Sequence, residues 1–144
     1  MRIVSLCEEH LAGVARLEEL CFSAPWSVSS LQFLLRDGNF GLVVLCDDVV
    51  AGDVGVLAIP PDEWEITNVA VDPGFRRRGI GEALMCALVD KAAQAGVTRI
   101  SLEVRISNAA AIGLYRKLGF VDCGVRKNFY SSPREDGVIM EKLF

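Results

Sequence analysis

Apolar residues recur along the chain in two spacings, one typical of helices and the other of strands. Four of them, three or four residues apart, begin at Leu11 and predict a first helix. The same spacing returns after Gly79, and Gly96 is the expected end of that long helix. Ser27 is a plausible N-cap for a shorter helix, and Gly119 ends another. The predicted helices span residues 8–21, 27–35, 80–95 and 108–118.

Runs rich in β-branched and aromatic residues, bounded by turn-forming residues, predict strands. Three such runs follow the second helix and are separated by Asp47-Asp48 and by Pro60-Pro61-Asp62, which predicts an antiparallel meander. Strands flank helices in the second half, so the predicted class is mixed α/β (α+β) with a largely antiparallel sheet. No repeat or linker interrupts the chain, and we expect one domain over residues 1–144. The predicted strands span residues 2–6, 40–46, 49–59, 64–71, 99–104, 120–127 and 138–143.

Composition excludes several classes of protein. Hydrophobic residues make up 51% and charged residues 24%, which rules out a disordered chain. The net charge of −4 disfavours direct binding of nucleic acid and is compatible with a cationic acceptor. Five scattered cysteines and the single histidine, His10, predict neither a metal site nor a hydrolase triad. The sequence has no signal-peptide core and no apolar run of membrane length, so we expect a cytoplasmic protein without membrane contact.

The segment 71–81 joins a predicted strand to the long helix and is rich in glycine and arginine. Gly79 and Gly81 would let the backbone approach a ligand closely. The first amides of a helix have no internal partner, and the helix dipole adds positive potential there. A pyrophosphate is one ligand for such a turn, and a solvated basic loop is the alternative. Neither the phosphate loop of nucleotide hydrolases nor the dinucleotide fingerprint is present.

Four segments carry a resemblance to a known family. Arg76-x-x-Gly79-x-Gly81 resembles the coenzyme A-binding motif of the GNAT superfamily of N-acetyltransferases. Residues 68–73, 102–112 and 113–120 resemble its flanking strands and its tyrosine-bearing helix, in the expected order. Pro25-Trp26-Ser27 and residues 126–130 are similar to the RimI subfamily, the alanine N-acetyltransferases of ribosomal proteins.

The resemblance implies a sheet that splits in a V between residues 64–71 and 99–104, with the pantetheine arm of acetyl-coenzyme A in the split. Asn108 would contact the same cofactor. The implied cofactor-binding residues are Val69, Ala70, Val71, Arg76, Arg77, Arg78, Gly79, Ile80, Gly81, Glu82 and Asn108.

Acetyl transfer to an amine needs a base for the amine and an acid for the departing thiolate. Glu103 lies in mid-strand, where a carboxylate is costly unless it faces solvent or a site. The resemblance makes it the base. Tyr115 lies two helical turns after Asn108 on the same face, and the resemblance makes it the acid. Glu65 competes as the base or as a binder of the cationic substrate, while Arg99 and Arg105 are interpreted as surface charges.

The acceptor implied by the resemblance is the N-terminal amine of a protein, an alanine-initiated ribosomal protein in the RimI subfamily. Trp26, between the first two helices, and Tyr130, in the loop joining the last strands, are candidates for a peptide-binding wall. Two alternatives remain open. One is acetylation of a small-molecule amine, and the other is a non-catalytic module that binds coenzyme A.

Overall fold

Seven strands form one mixed sheet that includes both halves of the chain. The computed structural model describes residues 1–144. The strand order is β1-β2-β3-β4-β5-β7-β6, and every neighbouring pair is antiparallel except the parallel pair β4 and β5. The predicted class and the meander of β2, β3 and β4 are confirmed. The strands are β1 (Arg2–Ser5), β2 (Phe40–Cys46), β3 (Val49–Ile59), β4 (Glu63–Val71), β5 (Arg99–Arg105), β6 (Val121–Tyr130) and β7 (Glu135–Leu143).

Four α-helices cover the two faces of the sheet. They are α1 (Leu11–Cys21), α2 (Val28–Leu31), α3 (Ile80–Ala95) and α4 (Ala109–Lys117). The predicted helix over residues 8–21 is a 3₁₀ turn followed by α1, and the predicted helix over 27–35 divides into α2 and a 3₁₀ turn. None of these helices is long and apolar enough to cross a membrane.

The hydrophobic core has two parts, one on each face of the sheet. Leu11 and Leu17 of α1 are fully buried in the part shared with α2. Leu84 and Leu88 of α3 are fully buried in the part shared with α4. Burying a leucine side chain contributes about 1.5–3 kcal/mol, so these apolar faces fix α1 and α3 on opposite sides of the strands that carry the site.

Residues at the helix ends act as the sequence predicts. The hydroxyl of Ser27 accepts a hydrogen bond from the amide of Ser30 at 3.1 Å. Gly79 and Gly96 flank α3 with φ angles of 72° and 75°, a region that favours glycine. These ends set where α3 begins, directly after the basic turn.

The last hairpin differs from its prediction, because β6 and β7 are longer and leave only residues 131–134 in the turn. Asn128 adopts a φ of 53° beside an irregularity in the register, and Tyr130 then pairs with Glu135. Tyr130 was expected in the connecting loop but is the last residue of β6. The irregularity lets pairing resume beyond it, which strand propensity alone does not reveal.

Candidate active site

The parallel strands β4 and β5 separate after a short contact. They pair only where residues 63–65 face residues 99–101. Opposite Gly55 and Val56, β4 carries one extra residue, Thr67, which has no Cα partner on β3. Beyond this bulge no ladder joins β4 to β5, and each strand keeps only its outer neighbour. The V-shaped split between these two strands is therefore present.

A cavity of about 610 Å³ lies at the split. Side chains from α1, the loop after it, β4, β5, α4 and the β6–β7 hairpin line it. Six of the residues singled out from the sequence meet here, namely Trp26, Val69, Glu103, Asn108, Tyr115 and Tyr130. The hydroxyl of Ser23, in the loop after α1, donates to the carbonyl of Ser131 in the hairpin at 3.4 Å, so both halves of the chain contribute to one site.

The basic turn lies just beyond the C-terminal end of β4. Arg77 and Gly79 have φ angles of 66° and 72°, and α3 begins without a side-chain cap. No hydrogen bond within the chain uses the backbone amides of residues 76–82. Consecutive free amides with alternating backbone handedness form an anion-binding nest. A Cβ built on Gly79 meets nothing within 4 Å, so this backbone faces open space.

Side chains around the turn add positive charge at its surface. Arg76, Arg77 and Arg78 are exposed, and the guanidinium of Arg78 lies 5.0 Å from the centre of the Phe75 ring. The carboxylate of Glu82 is held away from the amides by Lys117 of α4, at 2.7 Å. This ion pair leaves the backbone amide of Glu82, rather than its acidic group, available to a phosphate.

Tyr115 projects from α4 into the cavity. Its side chain is 6% exposed and lies against Phe120, with ring centres 5.9 Å apart. Burial raises the pKa of the Tyr115 phenol to about 12, with a smaller contribution from Tyr130. The phenol is therefore protonated throughout the neutral range and can act as a proton donor. Two turns earlier, Asn108 caps α4 by accepting a hydrogen bond from the amide of Ala111 at 3.2 Å.

Glu103 reaches the cavity because residues along β5 alternate between the core and the site. Leu102 and Val104 are buried on one face, while Glu103 and Arg105 lie on the other. The Nε atom of Arg126 lies 2.9 Å from Oε1 of Glu103. The ion pair that was the alternative to a catalytic Glu103 exists, yet the carboxylate still lines the cavity.

Glu65 lies elsewhere. It is exposed on β4 at the closed end of the split, where its backbone pairs with Leu57 and Ser101, and it does not line the cavity. Of the two carboxylates that compete for the role of base, only Glu103 shares a cavity with Tyr115.

The mouth of the cavity is aromatic. Trp26 is 43% exposed and lies against Phe33, with ring centres 4.7 Å apart. On the hairpin, Phe129 also lines the cavity, is 47% exposed and meets Tyr130 edge to face, with ring centres 4.9 Å apart. Phe129 was not singled out from the sequence. Every residue of β6 from Val121 to Phe129 is exposed, so nothing distinguishes Phe129 from the rest of a solvated edge strand.

Arg105 is a correction to the sequence interpretation, which treated it as a surface charge. Its guanidinium lies 4.5 Å from the centre of the Tyr130 ring and donates hydrogen bonds to the carbonyls of Ser131 and Pro133. It also pairs with Glu135 at 3.2 Å. Arg105 therefore fixes the hairpin that closes the cavity. The two-residue spacing from Glu103 on one strand face was the available signal.

One further group of potential ligand atoms lies at the start of α1. Cys7, Glu9 and His10 have their ligand atoms within 4.8 Å of one another. The Nδ1 atom of His10 already accepts the backbone amide of Cys7 at 3.1 Å, so this ring nitrogen serves the helix cap. The group lies outside the cavity.

The fold and site define an acyltransferase of the GNAT type, and comparison with known proteins agrees. The acetyltransferase (GNAT) family matches residues 11–120, and the chain belongs to this family. It is 37% identical over 132 residues to the ribosomal protein bS18-alanine N-acetyltransferase of Salmonella typhimurium, covering 90% of this chain and 88% of that protein. It is 36% identical over 140 residues to the Escherichia coli K12 protein of the same name, covering 96% and 94%.

Structural comparison gives the same relationship. The crystal structure of the ribosomal-protein-S18-alanine N-acetyltransferase from Escherichia coli superposes with a TM-score of 0.92 and 33% sequence identity, covering 99% of this chain and 92% of that one. The predicted superfamily and its RimI-like branch are thus confirmed. This chain is a GNAT acetyltransferase with relatives that act on a ribosomal protein.

Proposed function

We propose that this protein transfers an acetyl group from acetyl-coenzyme A to the α-amino group of a protein that begins with alanine, and that the acceptor is ribosomal protein bS18. The observation that carries the proposal is the meeting of Glu103 and Tyr115 in one cavity at the β4–β5 split. The relatives named for this activity match nearly the whole chain. We propose that residues 1–144 act as one catalytic domain in the cytoplasm, with no direct nucleic-acid or membrane partner.

The site has features that fit two parts of acetyl-coenzyme A, the pyrophosphate and the pantetheine arm. The unused amides of residues 76–82 and three exposed arginines fit a pyrophosphate. The edge of β4 that faces β5 without a ladder fits the amides of a pantetheine arm at Val69, Ala70 and Val71. Asn108, at the start of α4, lines the same cavity and would contact this arm. Acetyl-coenzyme A supplies an acyl thioester, and no metal takes part in the proposed reaction.

The protein side of the reaction is a pair of proton transfers. The carboxylate of Glu103 takes a proton from the α-ammonium, directly or across one water, so that the nitrogen lone pair can attack the thioester carbonyl. As the carbon–sulfur bond breaks, the phenol of Tyr115 gives its proton to the sulfur. The raised pKa of Tyr115, about 12, keeps that proton in place until the thiolate forms. The second proton lost by the acylated nitrogen restores the phenol, and Glu103 passes its proton to solvent.

The acceptor class follows from the mouth of the cavity. Trp26 and Phe129 both line the cavity and expose apolar rings, and such a rim suits a peptide better than a small polyamine. Tyr130, held by Arg105, supports the hairpin side of this rim. Glu65 lies outside the cavity, and we assign it no part in substrate binding.

Release of free thiol from acetyl-coenzyme A tests this proposal. The acceptors are peptides beginning with Ala, Ser, Met or Gly, a lysine peptide with a blocked N-terminus, and a polyamine. We expect turnover confined to free N-termini and highest with Ala. Turnover on the polyamine alone would move the protein to a small-amine branch. Binding of the cofactor without turnover on any acceptor would favour a non-catalytic module.

Variants assign the roles within the same assay. Glu103→Gln and Tyr115→Phe are each expected to lower kcat by about 10²–10⁴. Glu65→Gln removes the competing carboxylate on the neighbouring strand and is expected to keep wild-type kcat. In Glu103→Gln the remaining rate should rise about tenfold per pH unit up to the α-amino pKa of about 8, because the amine must then lose its proton to solvent. A loss of kcat in Glu65→Gln instead would reassign the base.

A further inference from the structure

One buried carboxyl on the wall of the cavity has no part in the reaction described above. Glu18 of α1 is 2% exposed and lines the cavity beside Trp26. Its Oε1 atom accepts a hydrogen bond from the backbone amide of Trp26 at 3.0 Å. Its Oε2 atom is buried and has no hydrogen-bond partner. Buried polar atoms are rarely left without a partner, so a donor from a ligand is the natural complement of Oε2.

Glu18 is also the one charged side chain of the cavity wall that has no opposite charge beside it. The charged residues that line the cavity are Glu18, Glu103 and Arg105. Glu103 pairs with Arg126 at 2.9 Å, and Arg105 pairs with Glu135 at 3.2 Å. No ion pair of the chain includes Glu18. A buried carboxylate without a counter-ion is costly, and a cation carried by a ligand would offset that cost.

A second buried acid, Asp53 of β3, shows by contrast why the position of Glu18 matters. Asp53 is 1% exposed, its Oδ2 atom accepts Nδ2 of Asn68 at 2.7 Å, and its Oδ1 atom has no partner. Burial raises the pKa of Asp53 to about 8, with Asn68 opposing the shift and Glu18 adding to it. Asp53 is therefore protonated at neutral pH, and it does not line the cavity. Of the two buried acids, only Glu18 borders the space that an acceptor would enter.

The carboxyl of Glu18 lies on the β4 side of the split. Cys21 follows Glu18 by three residues on the same face of α1, and its thiol donates to the carbonyl of Val71 at the end of β4 at 3.4 Å. Glu103 reaches the cavity from β5, the other arm of the split. An amine that enters between the two arms therefore meets one carboxyl from each arm.

We propose that Glu18 binds the α-ammonium group of the acceptor peptide, with Oε2 accepting one of its N–H groups, and so anchors the first residue of the acceptor in the cavity. This role rests on the proposed function. An ammonium group has three N–H donors, so one can bond to Glu18 while another faces Glu103. Glu18 takes up no proton in the reaction: it holds the amine, and Glu103 removes the proton.

The surroundings of Glu18 suit binding of a cation. Burial raises the pKa of Glu18, and the hydrogen bond from the Trp26 amide opposes this shift. An ammonium group at hydrogen-bond distance favours the ionised carboxylate, so binding of the acceptor and ionisation of Glu18 support each other. Because the Trp26 amide occupies Oε1, the carboxylate has one oxygen for the loop and the other for the ligand.

Glu18→Gln tests the proposal, because glutamine keeps the shape of the side chain and its carbonyl oxygen can still accept the Trp26 amide. We expect the peptide KM to rise about tenfold or more, the value of a hydrogen bond to a charged group. The kcat and the KM for acetyl-coenzyme A should stay within about twofold, as for loss of a contact made equally before and during the reaction. Glu19→Gln, at the next and exposed position of α1, is the matched control and should follow wild type.

A binding measurement without turnover separates recognition of the ammonium from support of the loop. Calorimetry compares two peptides on the complex with coenzyme A, which carries no acetyl group to transfer. One peptide begins with alanine, and the other begins with a propionyl group, which has the same shape without the ammonium. We expect wild type to bind the alanine peptide about tenfold or more tightly, and Glu18→Gln to lower this ratio about tenfold. Glu19→Gln should keep the wild-type ratio.

Each outcome decides for or against the site. A loss of affinity for both peptides by the same factor in Glu18→Gln would assign Glu18 to the loop alone and overturn the proposal, even in an enzyme that acetylates alanine peptides. Equal affinity of wild type for the two peptides, or binding of neither, would overturn it without any variant. A ratio that depends on Glu18 in a protein that acetylates no peptide would contradict the proposed function and leave the ammonium site established.

Discussion

The buried acid at position 53 makes folding stability depend on pH in a direction opposite to that of most carboxylates. The pKa of Asp53 is about 8 in the folded protein and about 3.9 in an unfolded chain. Between these values the folded state holds a proton that the unfolded state has lost. Stability therefore falls as pH rises through this window, by about 1.4 kcal/mol per pH unit, and is independent of this group above pH 8.

Asp53→Asn removes the titrating group and should remove this slope. The difference in unfolding free energy between Asp53→Asn and wild type should grow in favour of the variant by about 2.8 kcal/mol between pH 5 and 7, that is, two pH units at about 1.4 kcal/mol each. The other acids of the chain titrate alike in both proteins and cancel in the difference. Urea unfolding at pH 5, 6 and 7, with equal m values, measures it.

The contradicting result is a constant difference between the two proteins across this range. It would mean that Asp53 is ionised in the folded protein at pH 5, and that its second oxygen is satisfied in another way. Asp48→Asn should show that constant difference, because Asp48 is exposed in the turn between β2 and β3.

Three further substitutions test other parts of the site. Gly79→Val places a β-branched residue at a φ of 72° in the phosphate turn. The backbone conformation there then costs about 1–3 kcal/mol, so the KM for acetyl-coenzyme A should rise about tenfold or more, while the peptide KM stays constant. Gly113→Ala adds a Cβ that meets nothing within 4 Å inside α4, and thermal unfolding should show a gain of about 0.5–1 kcal/mol. Arg105→Met keeps the length of the side chain but loses its bonds to the hairpin, so the peptide KM should rise more than kcat falls. An unchanged KM for acetyl-coenzyme A would contradict the expectation for Gly79→Val. Unchanged thermal stability would contradict that for Gly113→Ala, and an unchanged peptide KM would contradict that for Arg105→Met.

Local patterns made most of the elements predictable from the sequence. β2 and β3 have the predicted bounds because apolar, β-branched runs there end at strong turn residues, Asp47-Asp48 and Pro60-Pro61. Both ends of α3 were predictable because glycine at Gly79 and Gly96 marks them. Family resemblance added the split of the sheet, which no local pattern contains.

The features that escaped prediction depend on contacts between distant parts of the chain. Arg105 donates a hydrogen bond to the carbonyl of Ser131 in the hairpin, 26 residues further along the chain. Glu18 and Asp53 are ordinary charged residues in the sequence, one on an amphipathic helix and the other inside an apolar strand. Only the packing of α1 against the sheet buries each of them in the interior. Strand registers that include a bulge or a positive φ, as at Asn128, are likewise set by pairing partners.

The proposed reaction is acetyl transfer to the α-amino group of an alanine-initiated protein. Its most direct test is fragment mass spectrometry of a peptide that begins with Ala and carries an internal lysine, after incubation with the enzyme and acetyl-coenzyme A. We expect one acetyl group, on the N-terminal alanine, with its rate of formation reduced by a factor of about 10²–10⁴ in Tyr115→Phe. An acetyl group on the lysine side chain, or none on the peptide while a small amine is acetylated, would contradict it.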